Sequence, residues 1–308
     1  MIEYRHISVM NKKVVDLMEV VPERIYYDAT LGGGGHSEEI LKRGGIVVAT
    51  DLDSDAIFNA SSLVQRYKGR FFPFKGNFKD AIQIVKQAGF ERVDGVVADL
   101  GFSSYHIENP ARGFSFSKSG PLDMRYDRSG KLTAYQFLSQ IDTNELAYGL
   151  ENFADIKRPK RLAEYIKRYF IENRPDDTVE FADYLRRGRF LPHNRRIDPV
   201  TKIFMAIRIM VNDEIGNLTE FIVRLPLMLR QNSVVAVITF HSVEDRIVKN
   251  LFRKFASQKG IDAGGIDLRV ELINKKVILP DREEILSNPR ARSAKLRVIK
   301  FLDVIAEV

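Results

Sequence analysis

Tyr26–Ser37 reads YYDATLGGGGHS, and its reading decides the fold. The β-branched and aromatic run Ile25-Tyr26-Tyr27 ends at Asp28, glycines occupy Gly32 to Gly35, and Ser37-Glu38-Glu39-Ile40-Leu41 opens a helical pattern. The resulting order is strand, glycine turn, helix. Glycine tolerates positive φ and lets the backbone approach a ligand closely, while the first turn of the helix beyond leaves N–H groups without partners. The order therefore predicts a ligand pocket at the carboxyl end of the strand. A ligand-free glycine turn is the plain alternative.

Spacing removes two phosphate-binding readings. G-x-G-x-x-G fails, because Ser37 and Glu38 stand five residues beyond Gly32 and Gly33, and G-x-x-x-x-G-K-[ST] does not occur. An acid at the strand end followed by glycines suits S-adenosylmethionine, whose amino acid end needs hydrogen bonds and whose sulfonium tolerates a nearby carboxylate. A second buried run, Ile46–Thr50, ends at Asp51, about 20 residues past the glycines, where a carboxylate can accept from both hydroxyls of a ribose. Asp51 could instead cap the following helix, a task open equally to Asp53 or Ser54. Phe71–Phe74 reads as a third strand, followed by Gly76-Asn77-Phe78, with Phe78 able to flank an adenine or simply to join the core. A fourth strand, Val93–Ala98, delivers Asp99-Leu100-Gly101-Phe102-Ser103. Ligands in open α/β sheets lie outside the carboxyl ends of the strands, so Asp28, Asp51, Phe78 and Asp99 are expected along one edge.

The alternation then breaks. Pro110–Asp127 is rich in glycine, serine and aromatics and reads as a structured loop. Amphipathic helices are predicted over Thr133–Ile141, Asn144–Leu150, Pro159–Glu172 and Thr178–Arg187, with a capping box from Asp142 and Glu145. These form an inserted helical domain at 106–200, flanked by the two parts of the main domain at 1–105 and 201–308. Lys202–Val211 is expected to re-enter the main domain as a buried helix. Val234–Ile238 is a fifth strand leading to the polar run Thr239–Arg246, and Leu296–Leu302 closes the chain as a strand.

Composition narrows the chemistry. Among 308 residues there is no cysteine, which removes disulfides, thiolate metal sites and thiol nucleophiles together. The histidines are far apart in sequence, and no local metal motif exists, so no metal is expected. No leader-like or bilayer-length apolar stretch is read, giving the expectation of a soluble, cytoplasmic protein. A net charge of +7 favours an anionic partner. Basic residues gather in three places: Lys157, Arg158, Lys160, Arg161, Lys167, Arg168 and Arg174; Arg186, Arg187, Arg189, Arg195 and Arg196; and Arg290, Arg292, Lys295 and Arg297. RNA contact is favoured for all three over a merely solvated face.

DATLGGGGHS at 28–37, DLGFSS at 99–104, RGFSFSKSGPLDMR at 112–125, AIRIMVNDE at 206–214, FHSVEDRIVK at 240–249 and NPRARSAKLR at 288–297 follow one another in an order that resembles the RsmH (MraW) family. These are S-adenosylmethionine-dependent methyltransferases acting on the exocyclic N4 of a cytidine in small-subunit (16S) ribosomal RNA. The resemblance implies an α/β fold, a class I methyltransferase (Rossmann-like) sheet with an inserted all-α domain. It puts Gly34, Gly35 and His36 on the methionine end of the cofactor, Asp51 on the ribose, Phe78 by the adenine, and Asp99 near the reacting methyl. His106, where the family often carries glutamine, joins the cofactor set. Ser8 replaces a common proline, and Asp198-Pro199-Val200-Thr201-Lys202 departs from HPATR. The implied partner is small-subunit ribosomal RNA or the 30S particle, without a membrane, and with a homodimer left open.

The lack of cysteine independently disfavours methylation at pyrimidine C5, which usually needs a thiolate at C6. Direct attack by nitrogen or oxygen needs no covalent enzyme intermediate. Asp99 is assigned as acceptor for the amine, with Ser103, Asn212 or His241 as helpers, and Phe102, Phe114 or Phe116 as stacking partners for a splayed base. Two other readings remain: a cofactor-binding RNA assembly factor without catalysis, separated by a methyl-transfer assay, and a nicotinamide oxidoreductase, separated by cofactor binding.

Overall fold

The computed structural model describes residues 8–101, 104–130, 132–172, 176–188, 190, 198–257 and 266–306. Two compact units emerge: a sheet unit, residues 4–102 with 215–308, and a helical unit centred on residues 103–214. Phe102, Ser103, Arg174, Arg189, Arg195 and Arg196 lie outside the described residues.

The sheet unit begins with α1 (Asn11–Leu17), β1 (Ile25–Asp28), α2 (Gly35–Lys42), β2 (Ile46–Asp51), α3 (Ser54–Asn59), α4 (Ser61–Arg66), β3 (Phe71–Lys75), α5 (Ala81–Gln87) and β4 (Val93–Asp99). The helical unit then contributes α6 (Ser104–Glu108), α7 (Ala134–Gln140), α8 (Thr143–Ala154), α9 (Pro159–Glu172), α10 (Thr178–Arg187) and α11 (Val200–Asn212). After α12 (Glu214–Arg224) come β5 (Leu229–Thr239), α13 (Ser242–Ser257), β6 (Ile266–Leu272), α14 (Arg282–Ser287) and β7 (Lys295–Ala306). The seven strands are ordered β3-β2-β1-β4-β5-β7-β6. β1 to β5 run parallel, and β7 is antiparallel to both β5 and β6.

Strand periodicity explains the layering. Tyr27, Val48, Val96, Ala98, Val235 and Val237 join one core with Ala81 and Val85 of α5, Phe221 of α12 and Phe252 of α13. Their chain neighbours Tyr26, Val47, Ala49, Val97, Val234 and Ala236 join the opposite core with Val14 of α1 and Ile40 and Leu41 of α2. Successive side chains point to opposite faces, so only near-continuous apolar runs fit a sheet covered on both sides. A Rossmann-like α/β sheet is the observed architecture. No helix among the described residues is long and apolar enough to cross a membrane.

The helical unit has its own core, in which Leu146, Leu150, Leu162, Ile166, Phe181 and Leu185 pack with Ile203 and Ile207. This corrects the expected place of Lys202–Val211. Its helix, α11, is buried, as read, but in the helical unit, because its apolar residues face α7 to α10. Periodicity reports that a helix is buried and is silent about which core it enters. Helix starts follow local chemistry: Thr133 and Gln136 form a reciprocal capping box at α7, whereas at α8 the observed cap is Asp142 accepting from Asn144 and Glu145 N–H groups.

Candidate active site

The order of the sheet reverses between β1 and β4, and at that switch point both strands end in an aspartate. Asp28 is 1 % exposed and Asp99 6 %. Asp28 is bracketed by the turn that follows it: Ser37 Oγ donates at 2.6 Å and Thr30 N–H at 3.2 Å. Burial pushes the Asp28 carboxyl up, against the pull of His36, Ser37 and Thr30. Thr30 Oγ1 in turn accepts the Asp99 N–H at 2.7 Å, so one threonine locks the ends of both strands together. Asp99 Oδ1 accepts the Gly101 N–H at 3.2 Å, and its Oδ2 lies 3.4 Å from His36 Nε2.

His36 is 3 % exposed, and neither ring nitrogen has a hydrogen-bond partner among the described residues. The approach to Asp99 is close enough for an ion pair yet lacks hydrogen-bond alignment. A buried imidazole without partners is costly, so this position favours a ligand that brings polar atoms to it. The glycines before it serve the chain's own packing as well. Gly34 caps α2 at φ +78°, and a Cβ there would sit 2.7 Å from Leu63 Cδ1. A Cβ on Gly35 would meet Ser8 Oγ at 2.4 Å. Close approach, read from the sequence as room for a ligand, is here partly room for neighbouring side chains.

Asp51 ends β2 and holds the glycine loop: Oδ2 accepts from Gly32 N–H at 2.8 Å and Oδ1 from Asp53 N–H at 2.9 Å. Burial raises its carboxyl to about 6, against those two donors. The competing use of Asp51 as a helix cap is excluded, since Asp53 caps α3 by accepting from Asp55 N–H at 3.0 Å. Each Asp51 oxygen carries one backbone donor, leaving further acceptor capacity on both. Phe78 follows β3 in a short 3₁₀ turn, half-buried, its ring 5.2 Å from that of Phe221. It belongs partly to the core while keeping some exposure at the same end of the sheet.

At the end of β5, Glu244 is buried and accepts from the N–H groups of Phe240 at 2.9 Å and His241 at 3.3 Å. His241 Nε2 lies 2.9 Å from Glu244 Oε1. The adjacent Asp245 binds Arg297 through two bonds, at 2.7 and 3.2 Å.

In the helical unit, His106 is buried against Phe114 and Tyr126, with ring centroids 4.9 and 5.3 Å away. Phe114 and Tyr126 are themselves stacked at 5.2 Å. Buried Arg112 ties the loop from beneath, donating from Nη2 to the carbonyls of Arg125 and Tyr126 at 3.1 Å each. Asn212, expected as a helper in the reaction, instead braces this loop: it accepts from Tyr126 N–H and donates to the carbonyls of Met124 and Arg208. Phe116 packs against Phe204 and beneath Arg186. The basic groups also thin out. Lys167 donates to the Leu138 and Ser139 carbonyls at the end of α7, and Arg186 pairs with Asp183 and Asp198, the latter standing where HPATR would begin.

Residues 3–302 match the model of a family described as the MraW methylase family. Two curated proteins named ribosomal RNA small subunit methyltransferase H are among the relatives. The protein from Carboxydothermus hydrogenoformans is 39% identical, covering 97% of this chain and 99% of its own length. That from an Anaeromyxobacter species is 36% identical, covering 97% and 98%. A solved rRNA methylase from Streptococcus thermophilus aligns over 98% of this chain and 99% of its own, at 10% identity and a TM-score of 0.38.

Proposed function

The chain belongs to the MraW methylase family, and from that premise we propose that it methylates the exocyclic N4 of a cytidine in small-subunit (16S) ribosomal RNA, using S-adenosylmethionine. The single observation behind this reading is near-full-length similarity to proteins bearing the name ribosomal RNA small subunit methyltransferase H. Buried Asp99 and His36 at the switch point suit such a transfer, Asp99 as an acceptor and His36 as a cofactor contact. S-adenosylmethionine, when bound, supplies a methyl group activated by its sulfonium.

The residues present fit that cofactor. Gly34, Gly35 and His36 hold its amino acid end, the unpartnered ring of His36 gaining a polar contact. Asp51 accepts from the ribose hydroxyls with its remaining capacity, and Phe78 flanks the adenine. His106 keeps its place in the set on the resemblance alone. Asp28 acts on the protein, fixing the turn through Ser37 and Thr30.

Asp99 is the catalytic residue in this reading. The cytosine amine is a weak nucleophile because its lone pair is delocalised into the ring. A carboxylate accepting one of its N–H groups favours the pyramidal, electron-rich form and takes up that proton as the nitrogen–carbon bond forms and the methyl–sulfur bond breaks. Gly101 N–H orients one Asp99 oxygen and leaves the carboxylate capacity for the amine. The nucleotide must be single-stranded or extruded to reach the site. Among the aromatics read as stacking candidates, Phe114 is half-buried against His106 and Tyr126 within the helical unit.

The test is methyl transfer to small ribosomal subunits prepared from cells lacking the protein, followed by nucleoside mass spectrometry. N4-methylated cytidine is the expected product. Methyl groups found only on carbon or ribose would overturn the N4 assignment, and RNA binding without methyl incorporation would favour the assembly-factor reading.

A further inference from the structure

Lys249 and Arg253 of α13, Lys275 just after β6 and Arg297 of β7 line one shallow surface concavity, with Phe252 and Leu272 supplying apolar wall. The first two are four residues apart on a helix and so share a face. The four cations are not equivalent. Arg297 is matched by Asp245, which Lys295 also approaches at 3.8 Å. Lys249, Arg253 and Lys275 have no carboxylate partner among the described residues. Lys275 is nevertheless not on a loose loop. The neighbouring Asn274 donates to the Lys276 carbonyl and accepts the Val298 N–H, both at 2.7 Å, pinning this segment to β7.

Like charges collected in a concave, partly apolar setting repel one another and raise the local positive potential, an arrangement relieved by an anion with several acceptor oxygens. We infer that this concavity is a phosphate-binding site for the RNA backbone, in which Lys249, Arg253 and Lys275 contact phosphodiester oxygens while the Arg297–Asp245 pair keeps its internal role. The inference rests on the reading of the protein as an RNA methyltransferase and adds a contact point whose three unmatched cations lie outside the linear basic clusters of the sequence. Its three cations come from α13 and from the β6–β7 connection, and only the packing of the helix on the antiparallel strands unites them.

Salt-dependent binding provides the test. Affinity for a fluorescein-labelled single-stranded segment of small-subunit ribosomal RNA is measured by anisotropy across a series of KCl concentrations. The comparison is between the wild-type protein and the combined variant Lys249→Gln, Arg253→Gln, Lys275→Gln. Each lost phosphate contact flattens the log–log salt slope by about 0.7 for a single strand, so the combined variant should lose about two units of slope and Lys275→Gln alone about 0.7. S-adenosylmethionine affinity, followed by calorimetry, should be unchanged in both. A second combination that removes equal charge elsewhere, Lys12→Gln, Lys13→Gln, Lys68→Gln, should leave the slope within about 0.5 of wild type. An unchanged slope in the first combination, or an equal fall in the second, overturns the phosphate site while leaving the methyltransferase reading intact. If wild-type protein neither binds the RNA nor methylates small subunits, both ideas fall together.

Discussion

Asp99 and Asp51 are alike as residues and differ in what surrounds them. Asp99 faces an orphaned imidazole and a single backbone donor, whereas Asp51 is held by a backbone donor on each oxygen. The proposed roles diverge accordingly. Asp99→Asn should lower turnover by about 10² to 10⁴ while cofactor affinity measured by calorimetry stays within about tenfold; turnover near wild type would remove Asp99 from the chemistry. Asp51 yields a pH prediction. Its carboxyl is raised to about 6, so it is ionised above that value and protonated below. Cofactor affinity should therefore be flat above pH 6 and weaken by up to about tenfold per unit below it. Asp51→Ala should bind weakly with that dependence gone, and a wild-type affinity that is level down to pH 5 would refute the ribose role. The sign for folding is opposite to that of a salt-bridged carboxylate. Since the folded-state value lies above the unfolded one of 3.8, ionised Asp51 costs stability, a cost absent below that value, growing up to about 6 and constant above.

Individual elements are held by local chemistry, most visibly in the loop that the resemblance singled out. Gly113 has φ +69°, and a Cβ there would lie 2.3 Å from the Pro121 carbonyl and 2.6 Å from Asp123 N. These are backbone atoms that cannot turn aside. Gly113→Ala should thus destabilise the protein by about 2–4 kcal/mol, read from denaturant unfolding, and a loss under about 0.5 kcal/mol would show that the loop can shift freely. The neighbouring Arg112 illustrates why a motif residue need not be a ligand contact. Its guanidinium supports two carbonyls of the same loop from a fully buried position, so the arginine in RGFSFSKSGPLDMR is explained without substrate.

For the whole molecule, the charge balance carries the prediction. With a net charge of +7 and the RNA partner proposed for it, affinity for ribosomal RNA should fall at least tenfold between 50 and 200 mM salt. A salt-independent affinity would mean that stacking and hydrogen bonding, not phosphate contact, hold the RNA. The distribution of that charge is less simple than the linear clusters indicate, because Lys167, Arg186 and Arg297 all have internal partners.

The amino-acid sequence determined the parallel strands and the ends at which the acids stand, because buried apolar runs, glycine punctuation and strand-terminal aspartates are local signals. It was enough to separate Asp28, Asp51 and Asp99 from the other carboxylates, and the six motifs carried the family. The tertiary structure alone decided that α11 packs into the helical unit, that Asn212 braces a loop, and that His36 sits buried with no hydrogen-bond partner for its ring among the described residues. It also decided which cations are matched, turning attention from the linear basic runs to Lys249, Arg253 and Lys275. The physical reason is that partners for a side chain are chosen by packing between elements distant along the chain, whereas periodicity and turn chemistry are written within a few residues.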